Sequence, residues 1–362
     1  MKVAIREILV ATDTESLRAI AETVHEDLSW EAQPVRVSGV LITYNHERFI
    51  QPAISSVLSQ TYPMDLIISD DCSTDRTPAL IRSTLRDYKG HHRVRVRYGS
   101  RNLGICGNQN ASVRLAEGEL IVLFEGDDKS VPERITKIVD AYLARKRHTA
   151  ALESAIRLMD SGGRIGTVVW PTENGSLHGC GLSFRRDVFF EIGPISKRLM
   201  SGDIALWMRA VFVPEGGLLQ IQDPLVHYRV HDTNASRVFR WDFSSVRALR
   251  ECCSKLVKHE VAKIFELRKI RRYRRRLGAE RDDLQSEWET LFRLSRARAK
   301  LVVAVSRRSR LYWVWPALVA CKFPVLKGKA LRVIAVALFP WIRGFYMFAR
   351  VQGRRINASA ER

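Results

Sequence analysis

The sequence predicts an α/β fold with a mostly parallel sheet flanked by helices, followed by a basic and mainly α-helical C-terminal region. Two observations predict it. Between residues 35 and 124, short runs of aliphatic and β-branched residues alternate with segments of helical apolar spacing. Residues 241–362 contain 29 of the 59 Lys and Arg residues but only 10 of the 39 Asp and Glu residues. The rest of the chain is nearly neutral, which indicates two regions with different roles.

The chain has 362 residues, of which 46% are hydrophobic and 27% charged, enough to bury a sizeable core. This composition excludes a disordered chain, a collagen-like repeat and a small disulfide-stabilised protein. The expected organisation is an N-terminal extension over 1–34, an α/β domain over 35–240 and the basic helical region over 241–362.

The predicted strands are short runs rich in Val, Ile and Leu, and the predicted helices carry apolar residues three and four positions apart. In chain order, strands over 35–43, 66–68, 94–98 and 119–124 alternate with helices over 47–60, 77–88 and about 104–116. Thr77 is expected as the N-cap of its helix, with Pro78 at the first helical position. Strands that alternate with helices pair in parallel, so their carboxyl ends share the edge where such folds bind ligands.

Polar groups follow three of these strands: Thr43-Tyr44-Asn45, Asp70-Asp71 and Glu125-Gly126-Asp127-Asp128. Each group alone is explained by turn formation, because Asp and Asn side chains bond the local backbone. Three such groups at one sheet edge need another explanation, since clustered carboxylates repel and a divalent cation is the usual compensation.

Other nucleotide-binding and hydrolytic motifs are missing from the sequence. It contains no G-x-x-x-x-G-K-[ST], no G-x-G-x-x-G after the first strand and no G-x-S-x-G. The six cysteines form no C-x-x-C pair, which favours free thiols in a reducing cytosol. The first residues lack the apolar core of a signal peptide, so a cytoplasmic location is expected.

A set of ordered motifs between about residues 35 and 236 resembles the family 2 glycosyltransferases. These motifs are V-L-I-T-Y-N-H-E-R-F-I, S-S-V-L-S-Q-T-Y-P, I-I-S-D-D-C-S-T-D-R-T, R-N-L-G, F-E-G-D-D, G-D-I-A-L-W-M-R and H-Y-R-V-H-D-T-N-A-S. The resemblance implies an inverting, metal-dependent enzyme with the A-type, Rossmann-like nucleotide-sugar-binding fold, whose catalytic domain is residues 35–240.

The resemblance also implies roles at the first strand ends. Asp71 matches the carboxylate that bonds N3–H of uracil or thymine, which indicates a UDP- or dTDP-linked donor. Thr43 and Tyr44 lie in the loop lining the nucleoside pocket. Asn102 and Gly104 match the turn that approaches the ribose and diphosphate.

The later motifs carry the implied metal and catalytic residues. Asp128 is the first choice for binding Mg²⁺ or Mn²⁺, and Asp127 contacts the ribose or the metal. The form Glu-Gly-Asp-Asp departs from a strict Asp-x-Asp, which leaves Glu125 without an assigned role. His231 could ligate the metal and Arg229 could pair with phosphate oxygens.

Asp203 matches the family's catalytic base, which takes the proton of the acceptor hydroxyl. The alternative for this residue is a helix N-cap, which the local sequence fits equally well.

The basic region combines a long arginine-rich helical segment with two short aromatic runs. The runs are 311–321 and 333–342, and both are shorter than the 18–20 residues or so that span a bilayer. Aromatic residues flanked by Lys and Arg suit an anionic membrane surface, and an oligomer contact is the alternative. Nucleic acid is disfavoured because no helix-turn-helix, zinc-finger or RNA-recognition signature occurs.

Together these features predict sugar transfer to a hydroxyl of a glycan or lipid-linked acceptor in cell-surface polysaccharide synthesis. The enzyme is expected at the inner face of the cell membrane, peripherally bound. The alternative is a basic scaffold, binding nucleic acid or membrane, with a non-catalytic nucleotide-sugar-binding domain.

Overall fold

The structure, a computed structural model, describes residues 21–146, 148–169, 179–213, 217–234, 246–278 and 293. The aromatic runs of the basic region and most of the N-terminal extension therefore lie outside the described residues. A short strand, β1 (Glu22–His25), and a 3-10 turn (Ser29–Ala32) are the described parts of that extension.

Four parallel strands form the centre of the first half of the sheet: β2 (Val37–Thr43), β3 (Asp65–Asp70), β4 (Arg93–Tyr98) and β5 (Leu120–Glu125). Their order is β4-β3-β2-β5, and β1 adds to β4 in antiparallel orientation. Their apolar runs are buried, as expected for strands covered on both faces. The four strands predicted from the sequence are confirmed.

The three helices between these strands also follow the prediction: α1 (Ile50–Leu58), α2 (Thr77–Leu85) and α3 (Ile105–Leu115). A further helix, α4 (Arg134–Ala144), follows β6 (Lys129–Ser130) and was not predicted. The N-cap prediction for Thr77 is wrong, because Arg76 holds that position. The Thr77 hydroxyl instead accepts the backbone N–H of His46 at 2.8 Å, which ties the loop after β2 to α2.

The second half of the sheet is mixed. It contains β7 (Ala151–Met159), β8 (Ile165–Val169), β9 (Leu182–Arg185) and β10 (Leu218–Arg229). The strand β9 runs antiparallel to both β5 and β7, whereas β10 is parallel to β7. Parallel pairing therefore predominates only in the first half, because β9 enters antiparallel to both of its neighbours and a tight turn after β7 leads to the antiparallel β8.

Three further helices complete the described fold: α5 (Arg186–Ile192), α6 (Asp203–Phe212) and α7 (Val246–Arg276). The described residues fall into two compact units. Residues up to 234 belong to the first unit together with Glu266–Gly278, and Val246–Phe265 belong to the second. Among the described helices, none has both the length and the hydropathy required to cross a bilayer.

Within the first unit, the C-terminal part of α7 is attached by a buried ion pair. Nη2 of Arg209 lies 2.9 Å from Oε2 of Glu266, and both side chains are fully buried. Oε1 of Glu266 accepts the backbone N–H of Ser196 at 2.9 Å. Residues assigned by sequence to the basic region therefore contribute to the packing of α6.

Candidate active site

The carboxyl ends of β2, β3 and β5 lie side by side, as the sequence predicts. Thr43 is the register partner of Asp70, and Ile42 is the partner of Glu125. Because the three strands are parallel, the polar groups that follow them are brought to one edge.

The segment after β5 forms an acidic cluster of Glu125, Asp127 and Asp128, defined by carboxylate oxygens within 4.8 Å of one another. Gly126 allows the close approach of this segment to the loop after β2. A Cβ atom at Gly126 would lie 2.5 Å from Oγ1 of Thr43 and 2.9 Å from Nδ1 of His46. The backbone is therefore packed too tightly here for any side chain.

Two histidines flank the Asp127 carboxylate. Nε2 of His231 lies 3.0 Å from Oδ2 of Asp127, and Nε2 of His46 lies 3.7 Å from the same oxygen. Burial alone would raise the pKa of Asp127, but the His231 hydrogen bond and the two nearby imidazoles lower it below its ordinary value. His231 reaches the acidic cluster through Asp127, and its assignment as a metal ligand stays a prediction.

Asp128 is almost fully buried, and Oδ1 accepts the backbone N–H of Arg229 at 2.8 Å. Burial and the neighbouring Asp127 charge raise the pKa of Asp128 well above its usual range. Burial and the charges of Asp128 and Asp127 likewise raise the pKa of Glu125 well above its usual range. Mutual repulsion of this kind is relieved by a bound cation.

The acidic cluster and the neighbouring Thr43 have oxygen atoms that a hard cation could bind. Oδ1 of Asp127, Oδ2 of Asp128 and Oγ1 of Thr43 are buried without a hydrogen-bond partner of normal geometry. Oxygen ligands of this type suit Mg²⁺ and Mn²⁺. The residues present therefore fit a divalent ion.

The guanidinium of Arg229 is engaged within the protein. Nε donates to the carbonyl oxygen of Asp127 at 2.9 Å, and Nη1 lies within hydrogen-bond distance of the carbonyl oxygens of Asp160 and Ser161. Its Cζ lies 4.9 Å from the ring centroid of Phe49. These contacts hold the acidic cluster against β10, and the pairing of Arg229 with phosphate stays a prediction.

Asp71 joins the end of β3 to the turn before α3. Its two carboxylate oxygens accept the backbone N–H groups of Leu103 and Gly104 at 2.9 and 2.8 Å. Oδ1 of Asn102 also accepts the N–H of Gly104, whose φ of 72° favours glycine. Burial raises the pKa of Asp71, and these N–H groups partly offset the rise. Asp71, Asn102 and Gly104 therefore form one hydrogen-bonded unit. The side chain of Tyr44, the residue after β2, is exposed.

Asp203 is the first residue of α6, and Gly202 holds the N-cap position without a side-chain capping bond. The helix-cap alternative for Asp203 is therefore absent from the structure. Gly179 leaves room for the carboxylate, since a Cβ there would lie 2.7 Å from Cγ of Asp203. Burial raises the pKa of Asp203, partly offset by hydrogen bonds from Ser201 and Gly179. Asp203 also lies close enough to Glu125 to raise the pKa of that residue.

Comparison with known proteins gives the family of this fold. The model of glycosyl transferase family 2 matches residues 38–153, which contain β2 to β5 and the acidic cluster. Residues 38–153 of the chain belong to glycosyl transferase family 2.

Two sequence relatives agree with this match. An uncharacterized glycosyltransferase from Nostoc sp. is 25% identical over 219 residues, covering 55% of this chain and 66% of that protein. The teichuronic acid biosynthesis glycosyltransferase TuaG of Bacillus subtilis is 32% identical over 111 residues, covering 30% of this chain and 42% of TuaG. The chain thus spans about two fifths to two thirds of the length of these relatives.

The crystal structure of S. aureus TarS 1-349 with UDP-GlcNAc shares the fold. It superposes with a TM-score of 0.51 at 16% identity, covering 85% of this chain and 92% of TarS 1-349.

Several residues of the candidate site were missed by sequence reasoning. His46 and Phe49 lie within the quoted first-strand motif, but nothing in the local pattern indicated that they contact Asp127, His231 or Arg229. Arg134 carries no predicted role, yet it is fully buried beside the acidic cluster. Their partners are distant in sequence, so only the fold reveals them.

Proposed function

We propose that this protein transfers a sugar from a UDP- or dTDP-linked donor to a hydroxyl group, with inversion at the anomeric carbon. The observation that carries the proposal is the convergence of the acidic cluster with Asp203. One carboxylate, Asp203, is separate from the cluster and has a raised pKa, which suits a base. The bound UDP-GlcNAc of the related TarS fold supports a nucleotide-sugar donor.

In this proposal, the donor lies along the carboxyl edge of β2, β3 and β5. Thr43, Tyr44 and Asp71 contact the nucleoside, with Asp71 accepting N3–H of the base. Asn102 and Gly104 approach the ribose and diphosphate, and Arg229 orients the loop beneath it. Asp128 and Asp127, with His231 behind Asp127, would hold Mg²⁺ or Mn²⁺. Such an ion would stabilise the charge that develops on the leaving diphosphate.

Asp203 then acts on the acceptor. Its carboxylate takes the proton from the acceptor hydroxyl as that oxygen bonds to the anomeric carbon. The bond between the anomeric carbon and the diphosphate oxygen breaks, and the electron pair leaves with the nucleoside diphosphate. A single displacement of this kind inverts the configuration at that carbon.

The acceptor that we propose is a glycan or a lipid-linked sugar in cell-surface polysaccharide synthesis. The name of TuaG, a teichuronic acid biosynthesis glycosyltransferase, supports a polymer acceptor. The excess of Lys and Arg in residues 241–362 supports binding to the anionic inner face of the cell membrane.

A donor screen tests the proposal. Purified full-length protein is incubated with a panel of nucleotide sugars, with and without Mn²⁺ or Mg²⁺, and donor hydrolysis and thermal shift are recorded. We expect a response to one UDP- or dTDP-sugar that requires the ion and disappears in Asp128→Asn. The exposed variant Asp223→Asn serves as a control and should behave like wild type. A metal response that is equal in Asp128→Asn and wild type would contradict the site assignment.

A further inference from the structure

Arg134 is a buried cation beside the acidic cluster. It is the first residue of α4 and has no exposed surface. Arg134 lines one small cavity together with Glu125 and Asp128, so the guanidinium lies beside both carboxyl groups. Fully buried arginines are rare unless a partner compensates for the loss of hydration.

The hydrogen bonds of Arg134 go to neutral acceptors. Nη1 donates to Oγ of Ser130 at 3.0 Å, and Nη2 donates to the carbonyl oxygens of Leu123 and Cys180 at 2.9 and 2.6 Å. The guanidinium lies over the ring of Phe124, with Cζ 4.7 Å from the centroid. The described residues provide no ion pair for this guanidinium at short range.

The negative charge that balances Arg134 therefore comes from the acidic cluster itself. Three carboxylates and one guanidinium leave a net charge of minus two when all are ionised. One divalent cation would make this buried set neutral. Arg134 is expected to remain charged at neutral pH, because burial lowers its pKa only to about 10.

The same bonds place Arg134 between the segments that form the site. Leu123 lies in β5 and leads to Glu125, while Ser130 lies in β6 after Asp128. Cys180 lies in the 3-10 turn Gly179–Gly181, whose first residue packs against Asp203. The planar guanidinium makes these bonds from two nitrogen atoms, Nη1 and Nη2, whereas an ammonium would have to make them from one.

We propose that Arg134 is a positioning residue that supplies the internal counter-charge of the acidic cluster and holds it assembled before a divalent cation binds. The inference rests on the proposed metal site, and it concerns a residue that has no role in the proposed transfer reaction.

The test measures the melting temperature of full-length Arg134→Met with and without Mn²⁺, in the absence of donor. Without metal, the variant should melt below wild type, because the carboxylates lose their counter-charge. Addition of Mn²⁺ should raise Tm by about 3 °C more in the variant than in wild type. The double variant Arg134→Met/Asp128→Asn should recover part of the loss without metal, because one repelling charge is removed.

Arg209→Met provides the matched control. Arg209 is also fully buried, but its partner is Glu266. Its replacement should lower Tm by an amount that neither Mn²⁺ nor Asp128→Asn changes. Arg134→Lys keeps the charge and loses the planar geometry, so its response to Mn²⁺ should match that of wild type.

Three results would overturn the inference. One is a decrease in the Tm of Arg134→Met that is the same with and without Mn²⁺ and is unaffected by Asp128→Asn. Another is failure of Arg134→Met to fold even with Mn²⁺ or Asp128→Asn. The third is an Mn²⁺-induced rise in Tm that is as large in Arg134→Lys as in Arg134→Met. Since no donor or acceptor is used, failure of the proposed transfer reaction would leave these results interpretable.

Discussion

The backbone N–H of Arg229 donates to Oδ1 of Asp128 at 2.8 Å, joining β10 to the acidic cluster across 101 residues of sequence. The side chain of the same residue reaches the carbonyl oxygen of Asp127. One residue thus fixes both the orientation of a carboxylate and the path of the backbone beside it. The late motif H-Y-R-V-H contributes to the site through this attachment.

Replacement of Asp203 by Asn distinguishes a role as catalytic base from a purely structural role. We expect unchanged donor binding and a loss of transfer of about 10²–10⁴-fold, because an amide cannot accept the acceptor proton. Donor affinity by calorimetry and single-turnover transfer rates measure the two effects. Asp187→Asn, a change in the first turn of α5, is the matched control and should transfer normally. Normal transfer by Asp203→Asn would exclude the base.

The pH dependence of transfer gives a second check on Asp203. Its pKa is raised by burial, so protonation should begin at a higher pH than for an ordinary aspartate. As the pH falls through this raised pKa, the base is protonated and kcat/KM should decrease. The profile of wild type on the acid side should therefore fall above the usual Asp range of about 3.9.

Gly126→Ala tests the tight packing between the acidic cluster and the loop after β2. The new methyl group would lie 2.7 Å from Cβ of Thr43, so the loop must move. We expect a stability loss of about 1–3 kcal/mol by chemical denaturation, together with weaker donor binding. Gly166→Ala is the control, since its methyl group meets only the Leu158 carbonyl oxygen at 3.6 Å. Equal behaviour of the two variants would contradict the packing argument.

How far the sequence could predict this site is shown by two kinds of residue. Thr43, Asp70 and Glu125 end strands that hydrophobic runs reveal, so their convergence follows from parallel pairing alone. Arg134 and Glu266 could not be foreseen, because their partners Cys180 and Arg209 lie 46 and 57 residues away. Local patterns record which residues are apolar, but not which charged residues become buried together.

His92 should make stability depend on pH. Its side chain is fully buried, and burial together with the neighbouring His91 lowers its pKa to about 4. The unfolded chain binds a proton near pH 6.5, so the free energy of unfolding should fall as the pH drops from about 6.5 to 4. The contribution is at most about 3 kcal/mol. His92→Phe should remove it, as measured by denaturation at pH 7 and 4.5, whereas exposed His148→Gln should leave it in place.

Truncation should reveal the role of Glu266 in the first unit. A chain ending at residue 245 loses Glu266 and leaves Arg209 buried without its partner, which typically costs about 3–5 kcal/mol. A chain ending at residue 278 keeps the pair and should retain the stability of the domain. Thermal unfolding compares the two, with Glu266→Gln in the full chain as the point control. Equal stability of the two truncated chains would show that the pair is dispensable.

Membrane binding is tested by co-sedimentation of full-length protein with vesicles. We expect stronger binding to anionic than to neutral vesicles, since each basic residue near the surface adds about 1 kcal/mol. Added salt should leave a residual affinity that disappears when Trp313, Trp315, Phe339 and Trp341 are replaced by Ala. A steep loss with salt, together with binding to DNA, would favour nucleic acid instead. Unchanged vesicle binding by the aromatic variant would exclude insertion.

The pairing of β5 with β9 has a consequence for anyone who expresses only the segment that defines the family. A fragment ending at residue 153 would lack Leu182–Arg185, the strand that covers the outer side of β5. The apolar β5 would become an open sheet edge with unpaired backbone groups, which promotes self-association. Such a fragment should be recovered as aggregate, even though it contains every residue of the acidic cluster.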